Sequence, residues 1–203
     1  MTTWGNNIQS RAEQRELKRL AILRAAAQSF NTIGYHQTNL NDLAETLGVT
    51  KPALYRYVSG KQDILRQCLD IAMAEIHEAI DELETEQKTS TLNGRDQLRK
   101  MFIRFAQMSS DDFGACLVLS RGAVTDGEFQ EQYRKTAEEI GQAMGQFVEL
   151  GIKDGSLPDQ NGRLLVAAML GAINETVYWH QREERVPPEK VAEDMFKLFE
   201  NGF

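Results

Sequence analysis

Four prolines and two cysteines in 203 residues leave little to break a helix and too little to build a disulfide framework. Runs of β-branched residues are scarce, so little in the chain favours strands. No apolar run approaches the roughly 18 residues of a membrane-spanning helix, and nothing at the N-terminus reads as a signal peptide. A Gly-rich phosphate loop, a GxSxG elbow, an HExxH pair and a CxxC pair are all missing, which removes the common nucleotide, hydrolase and metal signatures. The three histidines, His36, His77 and His180, are scattered without ligand spacing, which argues against zinc. Cys68 and Cys116 allow two readings, buried free thiols in a reducing cytoplasm or a redox-responsive pair. These absences point to an all-α, cytoplasmic chain with no cofactor, no membrane partner and no paired groups to make it an enzyme.

What is present is unevenly spread. The net charge of −7 argues against a polyanionic partner only until it is divided along the chain. Residues 1–66 hold nine Lys/Arg against five Asp/Glu, a net of +4, and the remainder holds 14 against 25, a net of −11. A basic head on an acidic body concentrates attraction for phosphate at one end. Residues 1–10 are polar and unpatterned. From Arg11 to Arg19 basic residues repeat along a helix start, either as a solvated face paired with Glu13 and Glu16 or as a helix end that touches DNA.

Leu20, Leu23, Ala27 and Phe30 recur at helical spacing and end at Gly34, a residue free to take φ > 0. Asn39 can cap a short second helix, with Asp42 as return partner and Leu40, Leu43, Ala44 and Leu47 inward. Gly48 ends it, and Val49 is expected to plug the turn. Thr50 caps a third helix with Pro52 in its first turn, where a missing N–H costs nothing. Leu54 and Val58 face inward, which turns Lys51, Ala53, Tyr55, Arg56 and Tyr57 outward. Two short helices joined by a Gly-containing turn form a helix-turn-helix, whose second helix normally enters the DNA major groove. Ser59 is expected to cap helix four, with Gln62 as its partner.

The segments AAAQSF, GYHQTNLNDLAETLGV and TKPALYRYVSGKQDIL resemble the N-terminal domain of the tetracycline-repressor (TetR) family of bacterial transcription regulators. They cover about a quarter of the chain without a gap. The chain departs from the family at Val58, where relatives carry an aromatic, and at the weakly basic Asn39–Leu40–Asn41. The resemblance implies that Lys51, Pro52, Ala53, Tyr55 and Tyr57 face DNA and that Lys61 holds a phosphate at the start of helix four; Asn39, Asn41, Thr50 and Arg56 complete the expected DNA-binding set. Half-buried packing between helices is the other reading of Tyr55 and Tyr57.

Helix four, from Gln62 to about Glu86, carries Ile64, Leu65, Leu69, Ala72, Ile76 and Ile80 on one face. It joins a helix-turn-helix head, residues 11–66, to a helical body, residues 67–203, without a flexible linker. Five further helices follow, at about 95–109, 113–124, 127–153, 163–182 and from Pro187–Pro188 onward, for about nine in all. Helix eight has small residues Ala167, Ala168 and Gly171, and helix nine an apolar stripe with Met195 and Phe199. These either complete an intrachain core or, as the resemblance implies, form a four-helix homodimer interface.

The resemblance also implies an effector pocket in the body. Apolar candidates for its walls are Phe102, Phe105, Cys116, Leu119, Met144, Phe147, Ile173, Val177 and Trp179, although aromatic and Met residues at this spacing also serve as plain core. Polar residues in apolar stretches need partners: Arg121, Asn174, Glu175, Tyr178 and His180 qualify, with an Arg121–Glu175 pair as the alternative to a ligand carboxylate for Arg121. The function expected from these signals is a repressor released from palindromic, double-stranded operator DNA by an apolar or amphipathic small molecule. The alternative is a DNA-binding protein of the same fold that answers to a protein partner.

Overall fold

The computed structural model of the chain describes residues 10–182 and 186–201, the side chains of 179–182 and 201 excepted. The expectations for residues 1–9 and for the Trp179 and His180 side chains lie outside these. Among the described residues are nine α-helices and one 3₁₀ turn: α1 Arg11–Ile33, α2 Leu40–Thr46, α3 Lys51–Leu54, α4 Lys61–Gln87, α5 Gly94–Ser109, α6 Asp112–Ser120, the 3₁₀ turn Arg121–Ala123, α7 Gly127–Asp154, α8 Gly162–Arg182 and α9 Pro188–Asn201.

Local chemistry sets the ends of these helices. Ser10 and Glu13 form a reciprocal capping box at the start of α1, with Ser10 Oγ accepting from the Glu13 N–H. Gly34 closes α1 at φ 91°, a conformation that other L-residues rarely adopt. Asn39 Oδ1 accepts from the Asn41 N–H at 2.9 Å, and among the described residues the expected return bond from Asp42 is not made. Thr50 caps α3 through the Ala53 N–H. The cap expected from Ser59 is absent. Gly60 occupies the N-cap position of α4, and the Asp63 carboxylate instead takes the Ser59 N–H at 2.7 Å. Val49 does not plug its turn either: it is 39% exposed, because Leu43, Leu54 and Val58 already fill the space beneath.

Two cores share α4. The first joins Leu23, Phe30, Leu43, Leu54 and Val58 of the head to Ile64, Leu65, Leu69 and Met73 of α4, and then to Phe113, Leu117 and Phe129 from α6 and α7. The second holds the far half of α4, with Ala79 and Leu83, against Phe102, Met144, Phe147, Met169 and Phe196. The boundary expected at residues 66–67 therefore falls inside one continuous helix and inside the first core. Polar contacts reinforce that junction. Asn31 Nδ2 donates to the Asp112 carbonyl at 2.9 Å, Gln28 Nε2 to the Asp112 carboxylate, and Arg66 reaches Asp126, the N-cap of α7, at 2.8 Å. A tilt of α4 or α6 is thus felt by α1.

Cys68 and Cys116 are both free and fully buried in the first core. Cys68 Sγ donates to the Leu23 carbonyl at 3.4 Å, and the neighbouring Cys116 thiol together with burial pushes the Cys68 thiol above the usual range.

Candidate nucleic-acid interface and ligand cavity

The helix-turn-helix presents one outward face. Asn39, Asn41, Thr50, Lys51, Pro52, Tyr55 and Arg56 are exposed, whereas Ala53 and Tyr57 are half-buried. Leu54, at 0% exposure, and Val58, at 3%, anchor the opposite side of the second short helix, and that anchoring fixes which side chains look out. Tyr57 also lines a shallow groove with Arg11, Arg15, Lys18 and Arg56. The cations of the head fall into two sets. Arg19 pairs with Glu16, Arg24 with Asp112, and Arg66 with Asp70 and Asp126. Arg11, Arg15, Lys18, Lys51 and Arg56 have no ion-pair partner among the described residues, and all are exposed. Unpaired cations on one side of an acidic protein are an electrostatic footprint for phosphate.

Lys61 belongs to neither set. Its ammonium donates to the carbonyls of Tyr35, His36 and Thr38 at 2.9, 3.1 and 3.1 Å, and lies over the Tyr35 ring. All three protons are used, so the side chain expected to hold a phosphate instead holds the turn between α1 and α2.

A cavity of about 80 Å³ lies between α4, α5, α6, α7 and α8. Of the residues expected to line it, Phe105, Ile173 and Asn174 do so, and Leu119 does not. Phe102, Met144 and Phe147 instead fill the second core. Cys116 belongs to the first core, and Val177 is buried away from the wall. Arg121 sits in the 3₁₀ turn beside the cavity, donating to the Val118 carbonyl at 2.9 Å and lying 5.1 Å from the Tyr133 ring centre. It makes no pair with Glu175, because Glu175 faces outward on α8. Tyr178 also faces outward, 40% exposed, so its expected ligand role is not supported by its placement. Sequence reasoning missed Glu75, Met108, Ser109, Leu117 and Thr136 on the wall. At Gly114 α5 and α6 come so close that a Cβ there would lie 1.9 Å from the Met108 carbonyl oxygen.

Ala167, Ala168 and Gly171 lie with Leu164, Glu175 and Tyr178 along one exposed face of α8. Leu164 is 68% exposed, and nothing lies within 4 Å of where a Gly171 Cβ would stand. Met195 and Phe199 are half-buried, as the intrachain-core reading of α9 expects. Both pack inward on the second core, with Phe199 edge-on to Phe102 at 5.9 Å, and the large apolar side chain that α9 shows to solvent is Leu198. Among the described residues no helix is long and apolar enough to cross a membrane, and no group of His, Cys, Asp or Glu is arranged to hold a metal ion.

Comparison with known proteins matches both parts of this architecture. Residues 22–68 match the family model described as bacterial regulatory proteins, tetR family, and residues 91–203 match the tetracyclin repressor-like C-terminal domain. The chain is 22% identical over 195 residues to the transcriptional activator FasR of Mycolicibacterium smegmatis, covering 93% of this chain and 84% of that one. It is 23% identical over 203 residues to the fatty acid metabolism regulator protein of Bacillus subtilis, covering 94% and 97%. Among solved structures, PfmR of Thermus thermophilus superposes with a TM-score of 0.76 at 21% identity, covering 90% of this chain and 98% of that one. FadR of Bacillus subtilis in complex with stearoyl-CoA gives 0.64 at 19%, covering 91% and 98%. AibR in complex with isovaleryl coenzyme A and operator DNA gives 0.70 at 17%, covering 92% and 100%. At these identities the structures establish the fold, and the two family models together span the head and the body. The chain belongs to the TetR family of bacterial transcription regulators.

Proposed function

We propose that this regulator binds a palindromic operator as a homodimer and is released from it, as a repressor, by an acyl thioester in the body cavity. One observation carries the reading: the cavity is walled by α4 and α6, the two helices packed into the head. Ala72, Glu75 and Ile76 of α4 line it just beyond Leu69, which is buried in the head-side core. Gly114, Leu117 and Val118 line it from α6, whose first turn is hydrogen-bonded to α1. At about 80 Å³ the space is smaller than the roughly 150 Å³ that admits benzene. An effector must therefore wedge these helices apart, and a displaced α4 carries the head with it. The effector then favours one head spacing over the other, which is the differential affinity that release requires.

The chemical class follows from the apolar walls and from similar proteins: two structures of the same fold hold acyl-CoA molecules, and a relative of nearly equal length is a regulator of fatty acid metabolism. Lys51, Pro52, Ala53, Tyr55, Arg56 and Tyr57 read the major groove in this proposal, and Arg11, Arg15 and Lys18 contact the flanking backbone. The exposed face of α8 pairs the subunits. A second reading concerns only the sign of regulation, because FasR is an activator.

The test begins with an operator selected from random DNA by the purified protein. Fluorescence anisotropy is then followed during titration with butanoyl- to octadecanoyl-CoA. A window of chain lengths should weaken operator binding by about 5- to 150-fold. If none of them binds or releases DNA, the effector is of another class or is a protein.

A further inference from the structure

Resting on the acyl-thioester reading, one residue of the cavity goes further than apolarity and distinguishes the thioester from the free acid. Among the described residues Glu75 is the only charged side chain on the wall. It is half-buried on α4, and among the described residues it makes no hydrogen bond and no ion pair. No cation faces it from the wall. Arg24 and Arg104 lie outside the cavity wall and act on Glu75 only through their charge, which opposes the rise in its pKa, and Arg24 is already paired with Asp112. Burial, followed by the neighbouring charge of Asp111, pushes its carboxyl above the usual carboxylate range. The other polar groups of the wall, Ser109, Thr136, Asn174 and the Tyr133 hydroxyl, are neutral.

A carboxylate placed this way lacks a donor and repels a second negative charge in a poorly screened site. A free fatty acid brings that second charge and, when ionised, offers no proton. An acyl thioester brings a neutral carbonyl, and the pantetheine arm that follows carries amide N–H groups able to donate to a carboxylate. We propose that Glu75 is the specificity determinant that admits acyl thioesters and rejects the corresponding free fatty acids.

The experiment compares decanoyl-CoA with decanoate by calorimetry at pH 7.5, below their micelle concentrations, on the intact protein. The wild type should bind decanoyl-CoA and bind decanoate far more weakly. Glu75→Gln removes the charge at constant shape, and it should improve decanoate binding by about tenfold or more while weakening decanoyl-CoA modestly. Glu75→Met, which also removes the acceptor, should narrow the gap in the same direction, and the thermal melt of each variant reports whether it is folded. An unchanged ratio of the two affinities in folded variants overturns the proposal. If the wild type binds no acyl-CoA of any length, the acyl-thioester reading itself fails, a result separate from an unchanged ratio.

Discussion

The Lys61 ammonium lies 2.9 Å from the carbonyl oxygen of Tyr35 and 4.7 Å from the centre of its ring. With the His36 and Thr38 carbonyls it closes the turn that sets α2 against α1. Lys61→Met should therefore cost about 2 kcal/mol of unfolding free energy, because charged hydrogen bonds to backbone are lost together. DNA binding by the folded protein should keep its dependence on salt. A slope lower by about one, with stability unchanged, would return Lys61 to the phosphate contacts.

Arg15 and Arg56 behave oppositely. They share a groove and have no ion-pair partner among the described residues. Arg15→Ala and Arg56→Ala should each reduce the slope of log affinity against log salt by about 0.9 and leave the melting temperature in place. Two unchanged slopes would take this groove out of the DNA interface.

Gly171→Arg tests the exposed face of α8. A side chain there meets nothing within the subunit, so the fold should persist while sedimentation shows monomers and operator affinity falls. A dimeric Gly171→Arg protein would place the subunit contact elsewhere.

Glu75 should also reveal itself through pH. Its folded-state carboxyl is raised, chiefly by burial, so its contribution to stability is largest at low pH and is lost as pH rises through the folded value. Glu75→Gln escapes that loss. Its melting temperature should exceed that of the wild type at pH 7–8, and the difference should shrink as pH falls toward the carboxylate range. A difference that does not vary with pH would mean that Glu75 is not strained by burial.

The head was legible in the sequence because its signals are local. Asn39 and Thr50 cap where a short polar side chain precedes an apolar stripe, Gly34 ends α1, and the spacing of Leu54 and Val58 decides which residues of the second short helix face out. Val49 and Ser59 depart from their expected roles because the Leu43–Leu54–Val58 cluster already fills the turn and because α4 starts one residue later, with Gly60 at its N-cap and Asp63 accepting the Ser59 N–H. The cavity was mostly illegible. Periodicity marks Phe102, Met144 and Phe147 as inward, but it cannot say which of several inward faces leaves a gap. Phe105, Ile173 and Asn174 were legible, and a signal for Glu75 existed: a carboxylate beside the apolar stripe of Ala72 and Ile76, the same pattern as on α8. Tyr178 is 40% exposed on the face of α8 opposite the core, and the sequence does not say which face of a helix with apolar residues on both sides turns inward.

In the proposed mechanism the cavity and the DNA-binding face are coupled through α4 and α6, and coupling between two sites is reciprocal. The direct measurement is the affinity of one acyl-CoA for the free protein and for the operator-bound protein, set beside the operator affinity with and without that acyl-CoA. The two ratios should be equal, with each ligand weakening the other by the same factor, about 5- to 150-fold. An acyl-CoA that binds equally well to the free and operator-bound protein would contradict the account.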